Sequence, residues 1–142
     1  MPTIDSVSHL MFKNVCKKMA YAVCTVLVLP AFVAWRIGAC FLGSDRSFVG
    51  WSEAFSLLPG VMGVYLRNAF FRLVLPQCAS GAWIAFGTVF SHATVRIGKN
   101  AYVGNYCCIG DVTLEDDVLI ASHVSITNAP GRTVELATEL IT

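Results

Sequence analysis

Histidine is suited to moving protons near neutral pH, because its ordinary pKa lies at about 6.5. The chain has three histidines, His9, His92 and His123. His9 precedes a long apolar run and is set aside. His92 and His123 remain as candidate general bases that could take a proton from a hydroxyl during acyl transfer. The plain alternative for each is a surface side chain with no chemistry. Asp116 and Asp117 form an adjacent acidic pair, which at a corner of the chain reads most simply as two solvated turn residues. Six cysteines (Cys16, Cys24, Cys40, Cys78, Cys107, Cys108) show no CxxC or Cys/His metal spacing, and four sit in apolar surroundings. They read as reduced and structural rather than as a disulfide framework, and no metal is expected. The chain carries no phosphate-cradling glycine loop, dinucleotide fingerprint, HExxH motif, nucleophile elbow or basic-aromatic nucleic-acid motif.

The candidate histidines lie in a region with a period of six. Hexads open at Ser91, Ile97, Val103 and Ile109, then after a five-residue step at Leu114, Ile120 and Ile126. All but the first open with an aliphatic residue, expected to point inward into a narrow core. The second position holds Gly98, Gly104, Gly110, Glu115 and Ala121, where glycine tolerates positive φ or close backbone approach. The fifth holds Val95, Ala101, Cys107, Thr113, Val118 and Val124, which must be compact because the chain turns there. Neither an amphipathic helix nor a hairpin predicts this spacing, and hexapeptide periodicity is a signature of parallel β-helices. The expected fold class is therefore a mainly β solenoid, a parallel β-helix preceded by apolar α-helices. His92 falls second in its hexad and His123 fourth in its own, on different faces of a three-faced coil.

The stretch IGKNAYVGNYCCIGDVTLEDDVLIASHVSI resembles the hexapeptide-repeat acyltransferases, whose coils turn left-handed. The preceding RSFVGWSEAFSLLPGVMGVYLRNAFFRLVLPQC is similar to the lead-in of membrane-associated sugar and exopolysaccharide members, and the resemblance spans roughly residues 13–128. It implies a homotrimer with acetyl- or acyl-coenzyme A as co-substrate between coils, no tightly bound cofactor, and a carbohydrate or other small-molecule acceptor. The family's histidine normally follows the strand corresponding to VSIT. At that place this chain reads Asn128-Ala129-Pro130-Gly131-Arg132-Thr133. Two alternatives follow. One is a non-catalytic, divergent scaffold on the membrane. The other, a γ-type carbonic anhydrase, needs three histidines around zinc and finds two in the repeat.

Composition points the front half toward lipid. Apolar residues make up 56% of the chain and charged ones 13%, against roughly 25% charged in a typical soluble domain. Residues 1–76 hold seven basic side chains against three acidic, and residues 77–142 three basic against six acidic. A basic, apolar front suits an anionic membrane surface rather than nucleic acid. From Met19 to Trp35 seventeen residues are uncharged, near the lower limit for a span. Lys13, Lys17 and Lys18 before it favour a cytoplasmic flank, and the reduced cysteines favour a cytoplasmic catalytic part. Pro30 allows either a kinked span or a re-entrant hairpin. A signal peptide is disfavoured by Arg36 and the lack of an A-x-A site. Ser52 is expected to cap a short helix over residues 53–58, and residues 61–75 to form an in-plane interfacial helix around Arg67 and Arg72 or to pack on the N-terminal segment. The expected division is 1–80 as an apolar helical region, 81–128 as the hexad repeat and 129–142 as a non-repeat tail.

Overall fold

A computed structural model describes residues 4–127. Three helices lead: α1 (Ile4–Leu42), α2 (Ser44–Ser56) and α3 (Gly60–Val74). Nine two-residue strands follow: β1 (Gln77–Cys78), β2 (Trp83–Ile84), β3 (Val89–Phe90), β4 (Arg96–Ile97), β5 (Tyr102–Val103), β6 (Cys108–Ile109), β7 (Thr113–Leu114), β8 (Leu119–Ile120) and β9 (Ser125–Ile126). They pair in parallel as three sheets ordered β1-β4-β7, β2-β5-β8 and β3-β6-β9.

The expected class, a mainly β solenoid of the left-handed β-helix kind, is corrected by this architecture. The described chain is 54% helical, and the β structure amounts to short parallel bridges in three small sheets. The physical reason lies in the hexad itself. A corner every six residues leaves two residues per hexad for ladder hydrogen bonds, so each strand stops at two. The first half meanwhile presents long apolar runs that close their backbone hydrogen bonds locally as helix.

Within the repeat, the second residue of each strand points inward. The ladders Ile84–Val103–Ile120 and Phe90–Ile109–Ile126 are buried, as are Ile97 and its partner Leu114. Phe90, not Ser91, opens the third repeat unit, and Ile97 follows seven positions later. Val112 takes the compact place assigned to Thr113, because the five-residue step brings Thr113 into β7, where it faces out. Positive φ falls on the fourth position, at Gly81, Gly87, Asn100, Tyr106, Asp117 and His123. The second-position glycines serve the other purpose: a Cβ on Gly98 would stand 2.5 Å from the Glu115 carbonyl carbon, and one on Gly104 2.5 Å from the Ser122 nitrogen.

The helices close one end of this stack. Helix α1 continues through Pro30 without folding back, although proline has no N–H to donate to the Val26 carbonyl. Its 39 residues extend over roughly 58 Å at 1.5 Å per residue. Cys24, Val28 and Trp35 are buried along one stripe, and α1 packs on α2 and α3. Helix α2 starts at Ser44 rather than near Glu53. Ser52 therefore lies inside it, and its buried hydroxyl accepts the Phe90 N–H at 2.9 Å. Phe48, Phe55, Phe70, Phe71 and Phe90 form the apolar joint between helices and sheets.

Helix α3 packs against α1 and the first strands, and Arg67 and Asn68 of its polar stripe are buried while Arg72 stays exposed. Arg67, 0% exposed, donates from Nη1 to the carbonyls of Phe55 (3.0 Å), Ser56 (3.3 Å) and Leu58 (2.8 Å), and from Nε to Ile84 (3.2 Å). The carbonyls of Phe55, Ser56 and Leu58 lie at and just beyond the C-terminal end of α2, where the helix dipole favours a cation. Burial still pulls the guanidinium below its ordinary pKa. Asn68 donates to the Ala82 carbonyl at 2.7 Å. Two residues that read as headgroup-facing, Arg67 and Asn68, thus turn donors to the protein backbone, while Arg67 Nη2 and Asn68 Oδ1 have no partner among the described residues.

Candidate functional site

His92 and His123 stand at different corners, and the fold does not bring them together. His92 follows β3 at the turn toward β4. Its Nδ1 lies 2.9 Å from Ser91 Oγ, and Ser91 Oγ also donates to the Ile109 carbonyl. The N–H of the next residue, Ala93, donates to Asp45 Oδ1 at 3.3 Å, which ties this corner to the start of α2. His92 is half-buried against that junction.

His123 sits between β8 and β9, in the left-handed region at φ 63°, with its backbone N–H donating to the Asn105 carbonyl at 2.8 Å. Its ring stacks on Tyr106 with centroids 5.4 Å apart and planes 14° off parallel, and Tyr106 in turn meets Phe86 edge-on at 5.5 Å. This column of Phe86, Tyr106 and His123 runs up one corner of the three-sheet stack. The imidazole is exposed and oriented by the ring beneath it, a geometry in which a nitrogen can accept a proton from a bound hydroxyl. Beside the column, the outward residues of the β2-β5-β8 sheet are Trp83, Tyr102 and Leu119, which are 42%, 39% and 76% exposed. Tyr106 stands outside the residues that sequence alone marks for chemistry. Its signal was a non-glycine side chain at the fourth place of a hexad, where the backbone turns left-handed.

The acidic pair is structural. Asp116 Oδ1 accepts the Lys99 N–H at 2.6 Å, and Asp117 Oδ1 accepts from the Asn100 side-chain amide at 3.0 Å. Each carboxylate fastens its corner to the equivalent corner of the preceding turn of chain. All six cysteines are free. Burial pushes the Cys78 thiol up to about 11, with Arg72 pulling weakly the other way. Among the described residues no three His, Cys, Asp or Glu side chains are grouped to hold a metal ion. The loop at 128–133 and the tail at 129–142 lie outside the described residues.

A recess lies at the joint of helices and sheets. Asn14, Lys17, Lys18 and Tyr21, one stripe of α1, line a cavity of about 470 Å³ together with Arg72 of α3 and Ser80 of the turn after β1. The Arg72 guanidinium lies over the Tyr21 ring at 5.2 Å, and Tyr21 meets Tyr65 edge-on at 4.9 Å.

Compared with family models, with curated proteins and with solved structures, the chain matches none.

Proposed function

We propose that this chain is a membrane-associated acyltransferase that moves an acetyl or acyl group from coenzyme A to a hydroxyl of a carbohydrate or envelope precursor. The observation that carries the reading is His123, an exposed imidazole held face to face with Tyr106 at the corner of the repeat. The residues from Ile97 to Ile126 that resemble the hexapeptide-repeat acyltransferases include it. In the proposed step the imidazole takes the acceptor's hydroxyl proton as its oxygen bonds to the thioester carbonyl. The tetrahedral intermediate then expels the coenzyme A thiolate, which takes the proton back.

Helix α1 is long and apolar enough to cross a membrane, and it keeps the acceptor-bearing surface and the enzyme together in this reading. The exposed row of Trp83, Tyr102 and Leu119 supports association into a trimer. A trimer is the arrangement in which His92 and His123, which stand apart within one chain, can contribute to one site. That same separation favours the second reading, a membrane-bound scaffold without catalysis.

The test is transfer of radiolabelled acetyl from acetyl-coenzyme A to hydroxyl acceptors by detergent-solubilised protein, with donor binding followed by calorimetry. His123→Asn should reduce transfer at least about 100-fold, the contribution of one positioned base, while leaving donor binding intact. Full transfer by that variant sinks the role of His123. Failure of the wild-type chain to bind the donor supports the scaffold.

A further inference from the structure

We propose that the recess between α1 and α3 is a binding site for the phosphate of an anionic lipid headgroup. Three cations converge on it from separate parts of the chain: Lys17 and Lys18 from α1, and Arg72 from the last turn of α3. None of the three makes an ion pair with a carboxylate among the described residues. Arg72 is held in place by the Tyr21 ring, which is itself braced by Tyr65. A preset guanidinium with two flexible ammonium groups and the Ser80 hydroxyl offers the donors that phosphate oxygens require.

The lipid source follows from the surface that α1 exposes beyond Lys18. Immediately after Lys18, α1 exposes Met19, Val23, Val26, Leu27, Val33 and Ile37. An apolar groove of about 300 Å³ runs among Ala22, Val23, Val26 and Leu27, one turn beyond Lys18. The stripe buried against α2 and α3 lies elsewhere on the helix, so protein covers one side of α1 and leaves the apolar remainder open. Along the helix axis this apolar surface begins one turn past Lys18, round the helix from the recess, so a phosphate seated between Lys18 and Arg72 stands at the border of the apolar part of α1. This places the recess at the level where headgroups meet acyl chains. The inference does not depend on acyl transfer and stands if His123 proves inert.

The test titrates the full chain, in neutral maltoside micelles, with dioctanoyl phosphatidate, dioctanoylglycerol and inorganic phosphate, followed by calorimetry. Saturable binding of the phosphatidate, none of the uncharged diacylglycerol, and at least tenfold weaker binding of phosphate are expected. Lys18→Gln and Arg72→Gln should each weaken phosphatidate binding about fivefold, the effect of one cation near an anionic surface. Lys13→Gln, an equal change of charge on α1 outside the recess, should change it less than about twofold. Both pocket side chains are exposed, so the variants should keep the wild-type helical signal. Should one lose it, Lys17→Gln replaces it. Equal affinity for inorganic phosphate overturns the lipid assignment. Equal losses at Lys13 and Lys18, or no loss at Lys18 and Arg72, overturn the pocket.

Discussion

Replacing Arg67 with methionine should destabilise the chain by about 3 kcal/mol, and replacing it with lysine should be at least as damaging. The guanidinium is wholly buried and makes four contacts to backbone carbonyls, of which those to Leu58 (2.8 Å) and Phe55 (3.0 Å) are short. Hydrogen bonds to a charged donor contribute about 1.5–3 kcal/mol each. The two short ones and the two longer ones together amount to roughly 6 kcal/mol on that scale. Burying the cation costs several kcal/mol, which methionine relieves, leaving a net loss of about half. Lysine keeps the charge buried but has a single ammonium, which cannot reach the end of α2 and the Ile84 carbonyl together. The assay is thermal unfolding in maltoside micelles followed by circular dichroism. A drop of about 10 °C for Arg67→Met is expected for a chain of this size. If Arg67→Lys melted near wild type, the residue would be acting only as a positive charge at a helix end, and the argument from its fork of donors would fail.

Other perturbations follow from the same geometry. Gly98→Ala and Gly104→Ala should each cost about 2 kcal/mol or more in the same melt, because the new Cβ meets backbone of the next turn at 2.5 Å and backbone cannot move aside cheaply. Gly43→Ala, with φ at 90° and open space around it, should cost only about 1 kcal/mol of backbone strain. Ser52→Ala leaves the buried Phe90 N–H without its acceptor and should cost about 1–3 kcal/mol. Cys78, with its thiol raised to about 11, should be alkylated at pH 8 at least about 100-fold more slowly than a free thiol of ordinary pKa. Because the folded pKa lies above the unfolded one, the associated stability is present below about 9 and is lost as pH rises toward 11. Mass spectrometry of iodoacetamide adducts with time reads the first effect, with exposed Cys16 and Cys108 as internal references. A melt across pH 8–11 comparing wild type with Cys78→Ala reads the second.

The period of six was legible from Ile97 onward, because an inward aliphatic residue in every hexad is a demand each strand makes on its own side chain. The first turn of the stack, from Cys78 to Phe90, is not legible in this way. Its second positions are Ala79, Ala85 and Ser91, and its glycines, Gly81 and Gly87, sit at the fourth place instead. The seven-residue step from Phe90 to Ile97 also shifted the apparent start to Ser91. The apolar stretch of α1 was legible by composition, but its continuation through Pro30 was not, since proline in a sequence signals a break that a helix packed along one face can absorb.

Amino-acid order alone determined which side chains enter the repeat core and that the front of the chain is apolar and basic, since both depend on local period and composition. Tertiary structure decided the rest. Ser52 reads as a cap until α2 proves to start eight residues earlier, and its hydroxyl is turned to Phe90, 38 positions away. Arg67 and Asn68 read as a face for water or headgroups, and they are buried with donors turned to the carbonyls of residues 55, 56, 58, 82 and 84, while Arg67 Nη2 and Asn68 Oδ1 have no partner among the described residues. Arg72 and Lys18 acquire a common recess only when α3 lies against α1. A polar side chain carries its hydrogen-bonding need in its type, but water, lipid and distant backbone answer that need equally well, and only the packed chain shows which one is there.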